Sequence, residues 1–216
     1  MKPQPNNTFF FVAYIIFLIT GFYFAATIPK GNEVLWLNER HNNFLDAFFY
    51  YTTSIGNGLF YGVIIIALLW KNVSYGLLAS ICFTSTGLSI QFLKKFVFPD
   101  MVRPKLYLQD YDLHFVEGVK VLANHSFPSG HSATAFSMFL LLALLFRKPL
   151  YGMFFCVIAI IAGMSRVYLL QHFLLDVLVG SVIGVAVTYF IYSVWYNMGM
   201  FNKPLLQNPL KDVFRR

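Results

Sequence analysis

A histidine and an aspartate in the last quarter of the chain have a spacing that suits nucleophilic catalysis. His172 and Asp176 are four residues apart, so on a helix they share a face and the carboxylate can hold the imidazole Nδ1–H. The Nε2 atom is then free of a proton, which prepares a histidine as a nucleophile. An isolated histidine–aspartate pair at this spacing more often has a structural role, so its interpretation depends on the polar residues around it.

Groups that bind anions and donate protons accompany this pair. The segment Pro128-Ser129-Gly130-His131 comes directly before an apolar run. Ser129 and Gly130 would open a helix there, with unpaired amides that bind anions and a glycine that lets a ligand approach the backbone closely. His131 is placed to donate a proton to a leaving group. Arg166 has a planar guanidinium that can bind a phosphate through two hydrogen bonds.

The elements that must position these residues are apolar helices. Of the 216 residues, 58% are hydrophobic and only 12% are charged, and the mean hydropathy is +0.63. This composition excludes a disordered chain, a coiled coil and a disulfide scaffold, and it is too apolar for a water-soluble domain of this size. Cys82 and Cys156 both lie in apolar runs, which predicts buried packing residues. We expect one all-α integral-membrane domain over residues 1–216.

About six apolar runs approach the roughly 20 residues that a helix needs to cross a bilayer. The first is longer than a signal-peptide core, which favours a retained anchor helix. Residues 37–50 are predicted to form an amphipathic segment that lies on the interface and has a packing role. The predicted spans are residues 8–27, 52–70, 75–93, 132–146, 150–163 and 173–195.

With these spans, the polar clusters fall on one side of the membrane. Ionisable groups at membrane depth are costly, so an unexplained one indicates function. The connection from Lys94 to His131 is too long for an idle turn, and it carries Lys94-Lys95 and Arg103-Pro104. A helix cap, an interfacial lysine and a satisfied ion pair have no structural reason to converge. Their convergence therefore favours a catalytic site.

At these residues the sequence resembles the type 2 phosphatidic acid phosphatase and vanadium haloperoxidase superfamily, in its membrane-embedded lipid phosphatase branch. The signature of that family is Lys-x6-Arg-Pro, Pro-Ser-Gly-His and Ser-Arg-x5-His-x3-Asp. The second part is intact at residues 128–131, and the third has the correct spacing from Ser165-Arg166 through His172 to Asp176. The motifs cover residues 95–176.

The first part of the signature departs from the pattern. Arg103-Pro104 is present, but the residue seven before Arg103 is Phe96, and the nearest lysine is Lys95. A slip of one residue turns a helical side chain by about 100°. A bulge at residues 98–100 would absorb the extra residue, so we assign Lys95 as the phosphate-binding lysine, with Lys94 as the alternative.

The resemblance implies a metal-independent hydrolase that acts on a phosphomonoester or pyrophosphate of a membrane lipid. His172 would be the nucleophile that becomes phosphohistidine, Asp176 would stabilise its imidazolium, and His131 would serve as acid and then base. No metal or other cofactor is expected, because the cations stabilise the charge of the phosphate. The residues implied to bind the phosphate are Lys95, Arg103, Ser129, Gly130 and Arg166.

Several alternatives stay open at this point. The lipid could be phosphatidate, phosphatidylglycerol phosphate, a polyprenyl pyrophosphate or a lipid A phosphate, since the motifs read only the phosphate. The same site could serve a lipid phosphotransferase, or the fold could be retained in a silent scaffold or transporter. The Gly180-x3-Gly184 pair favours close packing within the chain, and it leaves a homodimer open. His41, His114 and His125 have no motif support and are treated as loop residues.

The formal net charge of +7, from 16 Lys and Arg against 9 Asp and Glu, indicates orientation in a membrane and not a nucleic-acid partner. With the spans above, each side holds eight Lys and Arg, whereas eight of the nine acids lie on the active-site side. The excess positive charge therefore lies with the termini. We expect both termini in the cytoplasm and the site on the outer face of a bacterial inner membrane.

Overall fold

The computed structural model describes residues 7–207 and residue 209. Its regular secondary structure consists of helices. No strand occurs in this described part of the chain, which confirms the predicted all-α fold. A 3-10 turn, Thr53–Gly56, precedes α4, a π turn, Leu93–Val97, continues α5, and a second 3-10 turn, Met200–Asn202, follows α9. The helices are α1 (Thr8–Thr27), α2 (Asn32–Asn38), α3 (Asn43–Thr52), α4 (Gly58–Lys71), α5 (Val73–Phe92), α6 (Pro104–Tyr107), α7 (Gly130–Phe146), α8 (Pro149–Tyr168), α9 (Leu174–Asn197) and α10 (Pro204–Gln207).

The long helices identify an integral membrane protein. Within residues 7–207, four helices are long and apolar enough to cross a bilayer: α1, α5 with its π turn, α8 and α9. A fifth span arises if α3 and α4, which meet at a bend of 52°, count as one broken span. The apolar helix α7 has 17 residues, or about 26 Å of length, less than the roughly 30 Å of a hydrocarbon core. Six spans therefore remain a prediction.

Helix α7 lies at the centre of the bundle, packed against α5, α8 and α9, and nearly all of its residues are buried. Two glycines of α9 allow the close approach of α7. A Cβ at Gly180 would lie 2.4 Å from the Ser129 carbonyl oxygen, and one at Gly184 would lie 2.2 Å from that of Ala133. The small-residue pair thus serves packing within the chain, and it fixes the beginning of α7 against the beginning of α9.

Three predicted boundaries were wrong. The second predicted span, residues 52–70, is not one helix, because α4 begins at Gly58, where the Asn57 side chain accepts a hydrogen bond from Leu59 N at 3.2 Å and caps it. Helix α8 continues to Tyr168, five residues beyond the predicted end, and so carries Arg166 in its last turn. Residues 37–50 are not one segment, since α2 ends at Asn38 and α3 begins after its cap, Asn42.

The remaining sequence expectations fall partly on residues that the structure describes and partly on residues outside them. Cys82 and Cys156 are buried free cysteines, as predicted. Part of the predicted charge asymmetry rests on Lys2, Lys211, Asp212, Arg215 and Arg216, which lie outside the described residues. The domain assignment 1–216 likewise extends beyond the described part and stays a prediction.

Candidate active site

The polar clusters meet at one end of the bundle, around a cavity of about 300 Å³. Helices α7 and α8, the loop before α9 and the long connection after α5 each contribute side chains to its wall. The chemically active residues that line it are Lys94, Arg103, Gly130, His131, Arg166 and His172. The predicted convergence of these clusters is therefore observed.

His172 lies in the loop that joins α8 to α9, and not on α9 as the four-residue spacing suggested. The loop is anchored at the end of α8, because the backbone N–H of His172 donates to the Arg166 carbonyl at 3.1 Å. Asp176 is in the first turn of α9, where its Oδ2 accepts from Phe173 N at 3.1 Å. The His172 Nδ1 lies 3.2 Å from the same oxygen. This arrangement holds Nδ1 on the carboxylate and leaves Nε2 as the free ring nitrogen.

The surroundings of His172 favour a neutral imidazole. The side chain is 2% exposed. Burial lowers the pKa of His172 well below its usual value, and the positive charges of Arg103, Lys94 and Arg166 lower it further. A neutral histidine carries the lone pair that nucleophilic attack requires.

Arg166 reaches the cavity from the last turn of α8 with part of its guanidinium unpaired. Its Nη1 donates to Thr53 Oγ1 at 2.6 Å, which links α8 to the 3-10 turn after α3. Its Nε is buried, and no acceptor among the described residues reaches it. A buried guanidinium N–H without an acceptor is costly. An anion in the cavity would supply that acceptor.

Arg103 is held far more completely by its surroundings. Its Nε donates to the Asn124 carbonyl at 2.9 Å. Its Nη1 donates to the Gln171 carbonyl at 3.1 Å and to the Gln171 Oε1 at 2.9 Å. These bonds tie the long connection to the loop that carries His172. Arg103 therefore shapes the site in addition to lining it.

The structure corrects the choice of lysine. Lys94 is buried and lines the cavity, whereas Lys95 is exposed. The cause is the π turn at the end of α5, in which the Phe98 N–H bonds the Leu93 carbonyl five residues earlier at 2.8 Å. A π turn accommodates extra residues and rotates those within it, so the irregularity lies at residues 93–97 and not at 98–100. Lys94 Nζ donates to the His125 carbonyl at 2.7 Å.

The segment around the beginning of α7 is partly as predicted. Gly130 and His131 line the cavity. Ser129 is fully buried and is not among the described lining residues. Its Oγ caps α7, because it accepts from Ser132 N at 3.3 Å and from Ser132 Oγ at 2.9 Å. The Ser129 hydroxyl therefore caps α7, and its contact with phosphate stays a prediction.

Sequence reasoning missed several residues that support the site, namely Thr53, Ser126 and Gln171. Thr53 reaches the site only through a tertiary contact. Ser126 and Gln171 lie close to motif residues in sequence, at positions that the signature leaves unspecified. It also undervalued His114, whose Nε2 lies 2.8 Å from Asp46 Oδ2 and whose ring stacks on His41. Asp46 accepts in turn from the Tyr168 hydroxyl at 2.5 Å, which ties α3 to the end of α8.

The donor groups of the site suit an anion better than a metal. Within the described part of the chain, no group of three or more His, Cys, Asp and Glu is arranged to hold a metal ion. The cavity wall instead presents two lysines and two arginines beside two histidines. Such a set binds a tetrahedral oxyanion such as phosphate.

Comparison with known proteins agrees with this geometry. A model of the PAP2 superfamily matches residues 72–200. The crystal structure of Aquifex aeolicus LpxE has a TM-score of 0.66 and 25% identity over 74% of this chain and 92% of that chain. The first transmembrane PAP2 type phosphatidylglycerolphosphate phosphatase from Bacillus subtilis has a TM-score of 0.64 and 22% identity, over 87% and 96% of the two chains, and at that identity it shows the fold alone. No curated protein sequence matches the chain.

Proposed function

This chain belongs to the PAP2 superfamily, and from that premise we propose that it is a lipid phosphate phosphatase. It hydrolyses a phosphomonoester or pyrophosphate of a membrane lipid, without a metal, through a phosphohistidine intermediate. The observation that carries this proposal is the state of His172: Nδ1 lies on Asp176, and the ring opens onto a cavity lined by Lys94, Arg103 and Arg166.

In the first step, His172 Nε2 attacks the phosphorus atom in line with the bond to the lipid oxygen. The P–N bond forms as the P–O bond breaks, and the imidazolium that develops is stabilised by Asp176. His131, which lines the same cavity, donates its proton to the departing lipid oxygen. The products of this step are the lipid alcohol and phosphohistidine.

In the second step, water hydrolyses the intermediate. His131, now neutral, accepts a proton from the water as it attacks phosphorus, and the P–N bond breaks to restore neutral His172. Phosphate leaves the cavity, and His131 again carries the proton that it needs for the next turnover. Acid and base roles thus alternate on one residue.

The charges of the site match the substrate. The balance of charge at the site is positive: four cations line the cavity, Lys94, Arg103, Lys120 and Arg166, whereas Asp176 beside His172 carries one negative charge. This net positive charge attracts a phosphomonoester dianion. Positioned cations of this kind stabilise the charge on the equatorial oxygens, the dominant effect in phosphoryl transfer. This balance supports a mechanism that needs no metal, and activity should persist in EDTA. Loss of activity in EDTA that added metal restores would contradict it.

The test is phosphate release from a panel of lipids by the purified protein in detergent. The panel contains phosphatidate, phosphatidylglycerol phosphate, a polyprenyl pyrophosphate and a lipid A phosphate. His172→Ala should reduce release by at least 1,000-fold, as expected for loss of a nucleophile. His41→Ala, a histidine outside the cavity, is the matched control and should retain wild-type turnover. Wild-type turnover in His172→Ala would refute the assignment.

The same assay separates hydrolysis from transfer. A hydrolase releases one phosphate for each lipid that loses its phosphate, whereas a phosphotransferase forms a new phosphorylated acceptor and releases less. Release from no lipid of the panel would instead favour a silent scaffold or transporter.

We further propose that the protein lies in a bacterial inner membrane with its site on the outer face and its termini in the cytoplasm. Both native cysteines are buried, so a single cysteine introduced at the exposed, cavity-lining Lys120 can report the side. A membrane-impermeant maleimide should label this variant in intact spheroplasts. Labelling only after the membrane is broken would place the site in the cytoplasm.

A further inference from the structure

Ser126 belongs to none of the three motifs, yet it is one of the most deeply held side chains of the site. It lies just before the beginning of α7 and is 1% exposed. Its backbone N–H donates to the Met101 carbonyl at 2.8 Å. Its carbonyl accepts from Lys94 Nζ at 3.4 Å. Hydrogen bonds to both its backbone N–H and its carbonyl therefore hold Ser126 in place, independently of its side chain.

The hydroxyl of Ser126 completes the contacts of the His172–Asp176 pair. It donates to Asp176 Oδ2, the oxygen that also faces His172 Nδ1 and Phe173 N. It lies 3.5 Å from His172 Nδ1 as well. Ser126, His172 and Asp176 therefore form one triangle of polar atoms, all of them buried.

This triangle determines the tautomer of the histidine. A serine hydroxyl has one hydrogen, whereas an ionised carboxylate can only accept. Because Ser126 gives its hydrogen to Asp176, its oxygen can act towards His172 only as an acceptor. Both neighbours of Nδ1 are then acceptors, so Nδ1 must carry the proton and Nε2 must carry the lone pair. A neutral histidine without these neighbours could adopt either tautomer.

We propose that Ser126 is a positioning residue that holds Asp176 in place and fixes the reactive tautomer of His172. It acts through these two residues and does not touch the phosphate. The inference rests on the proposed function, because it assigns Ser126 a part in preparing the nucleophile. Loss of a buried hydrogen bond to a charged group should slow the chemical step by roughly 10- to 100-fold.

The test compares kcat and KM for Ser126→Ala, Ser126→Cys and Ser126→Thr on the best lipid of the panel. Ser126→Ala should lower kcat roughly 10- to 100-fold and leave KM within about twofold, since the phosphate contacts remain. Ser126→Cys, of similar size but a weaker donor, should lie between alanine and wild type. Ser126→Thr, which keeps the hydroxyl, should recover most of the activity.

A matched control and a spectroscopic readout separate positioning from general destabilisation. Ser181→Ala also removes a buried hydroxyl from α9, one that donates to the Leu178 carbonyl at 2.6 Å, and it should retain wild-type kcat. In protein labelled with ¹⁵N-histidine, the His172 resonances should report the Nδ1–H tautomer in wild type. In Ser126→Ala the Nδ1 resonance should shift, because Asp176 Oδ2 loses one of the donors that hold it against the ring. Assignment follows from the signals lost in His172→Ala.

The outcomes distinguish this inference from the proposed function. Wild-type kcat in both Ser126→Ala and Ser126→Cys, or an unchanged His172 Nδ1 resonance in Ser126→Ala, would overturn the role of Ser126 while His172→Ala stays inactive. If the wild-type protein released no phosphate from any lipid, the proposed function itself would fail. The tautomer measurement needs no turnover, so it decides the role of Ser126 in either case.

Discussion

Arg166 and Arg103 line the same cavity, but the regions that carry them are built differently. Arg166 is on the last turn of α8 and has a buried Nε without an acceptor among the described residues. Arg103 is in the connection after α5, and its Nε and Nη1 donate to backbone and side-chain oxygens of Asn124 and Gln171. We call these the helix-borne half and the loop-borne half of the site; Lys94, held by the carbonyls of residues 125 and 126, belongs to the loop-borne half.

The difference indicates two separate roles for the cations of the site: some bond to the backbone of the loop, and others can bind a ligand. Helix ends hold side chains rigidly and can leave donor atoms unpaired towards a ligand. A long connection must first satisfy its own backbone carbonyls, and here buried cations do so. In the loop-borne half, the donors of Arg103 and Lys94 bond to oxygens of the protein itself. In the helix-borne half, the Nε of Arg166 remains available to a ligand.

The largest expected effect contrasts the two arginines. Arg166→Lys keeps the charge and loses the planar pair of donors, so kcat/KM should fall by about 100- to 1,000-fold, the usual result of losing a donor to the reacting group. The melting temperature should change by less than about 2 °C. Arg103→Lys should lower the melting temperature by several degrees, since it loses bonds that close the loop. Arg40→Ala, an exposed arginine, is the control for both measurements.

A reversed pattern would contradict the comparison. If Arg103→Lys lost activity without loss of stability, and Arg166→Lys the opposite, the unpaired Nε of Arg166 would have no part in binding the substrate.

The next effect tests the correction of the lysine. Lys94→Ala should reduce kcat/KM by roughly 10- to 100-fold, because it removes a buried cation beside the phosphate. Lys95→Ala should change it by less than about twofold, because Lys95 is exposed. Steady-state kinetics on both variants checks this directly. A larger loss in Lys95→Ala than in Lys94→Ala would restore the assignment that the sequence alone favoured.

Much of the fold and part of the candidate site could be predicted from the sequence. The apolar runs predicted an all-helical membrane protein, and the family assigned from the motifs is confirmed by the superfamily match over residues 72–200. The motifs with regular spacing lie at helix ends or in the short loop between α8 and α9, so His131, Arg166 and His172 reach the cavity as expected. Their catalytic roles remain predictions.

The predictions that failed depend on irregular backbone or on contacts distant in sequence. The spacing favours Lys95 as the lysine nearest to the motif position, because a π turn leaves no sequence signal and rotates its neighbours. A helix cap and an anion ligand look alike in sequence, so the sequence does not reveal that the Ser129 hydroxyl caps α7. Ser126 is 50 residues from Asp176 along the chain, and no local pattern connects them.

The smallest expected effect is a shift of the pH profile. Burial and the cations Arg103, Lys94 and Arg166 hold the pKa of His172 below its usual value. Attack requires the neutral ring, so protonation inactivates the enzyme, and a lowered pKa keeps it active as pH falls through about 6.5. Lys94→Gln removes one of these charges and raises the pKa of His172. The acid limb of kcat/KM should therefore move to higher pH than in wild type.

Wild type and variant are assayed on the same lipid, so the titration of its phosphate contributes equally to both pH profiles. The same displacement should be absent in Lys95→Gln, which removes an exposed charge. An acid limb of Lys94→Gln that coincides with wild type, or lies at lower pH, would show that the charge of Lys94 does not lower the pKa of His172.

The central claim is that phosphate passes through a covalent intermediate on a histidine, and the stereochemical course at phosphorus tests it most directly. The substrate is a lipid phosphorothioate made chiral with oxygen isotopes and hydrolysed in isotopically labelled water. Two in-line displacements each invert the configuration, so the account predicts net retention in the thiophosphate released. Net inversion would mean that water attacks the lipid phosphate directly, and it would contradict the account.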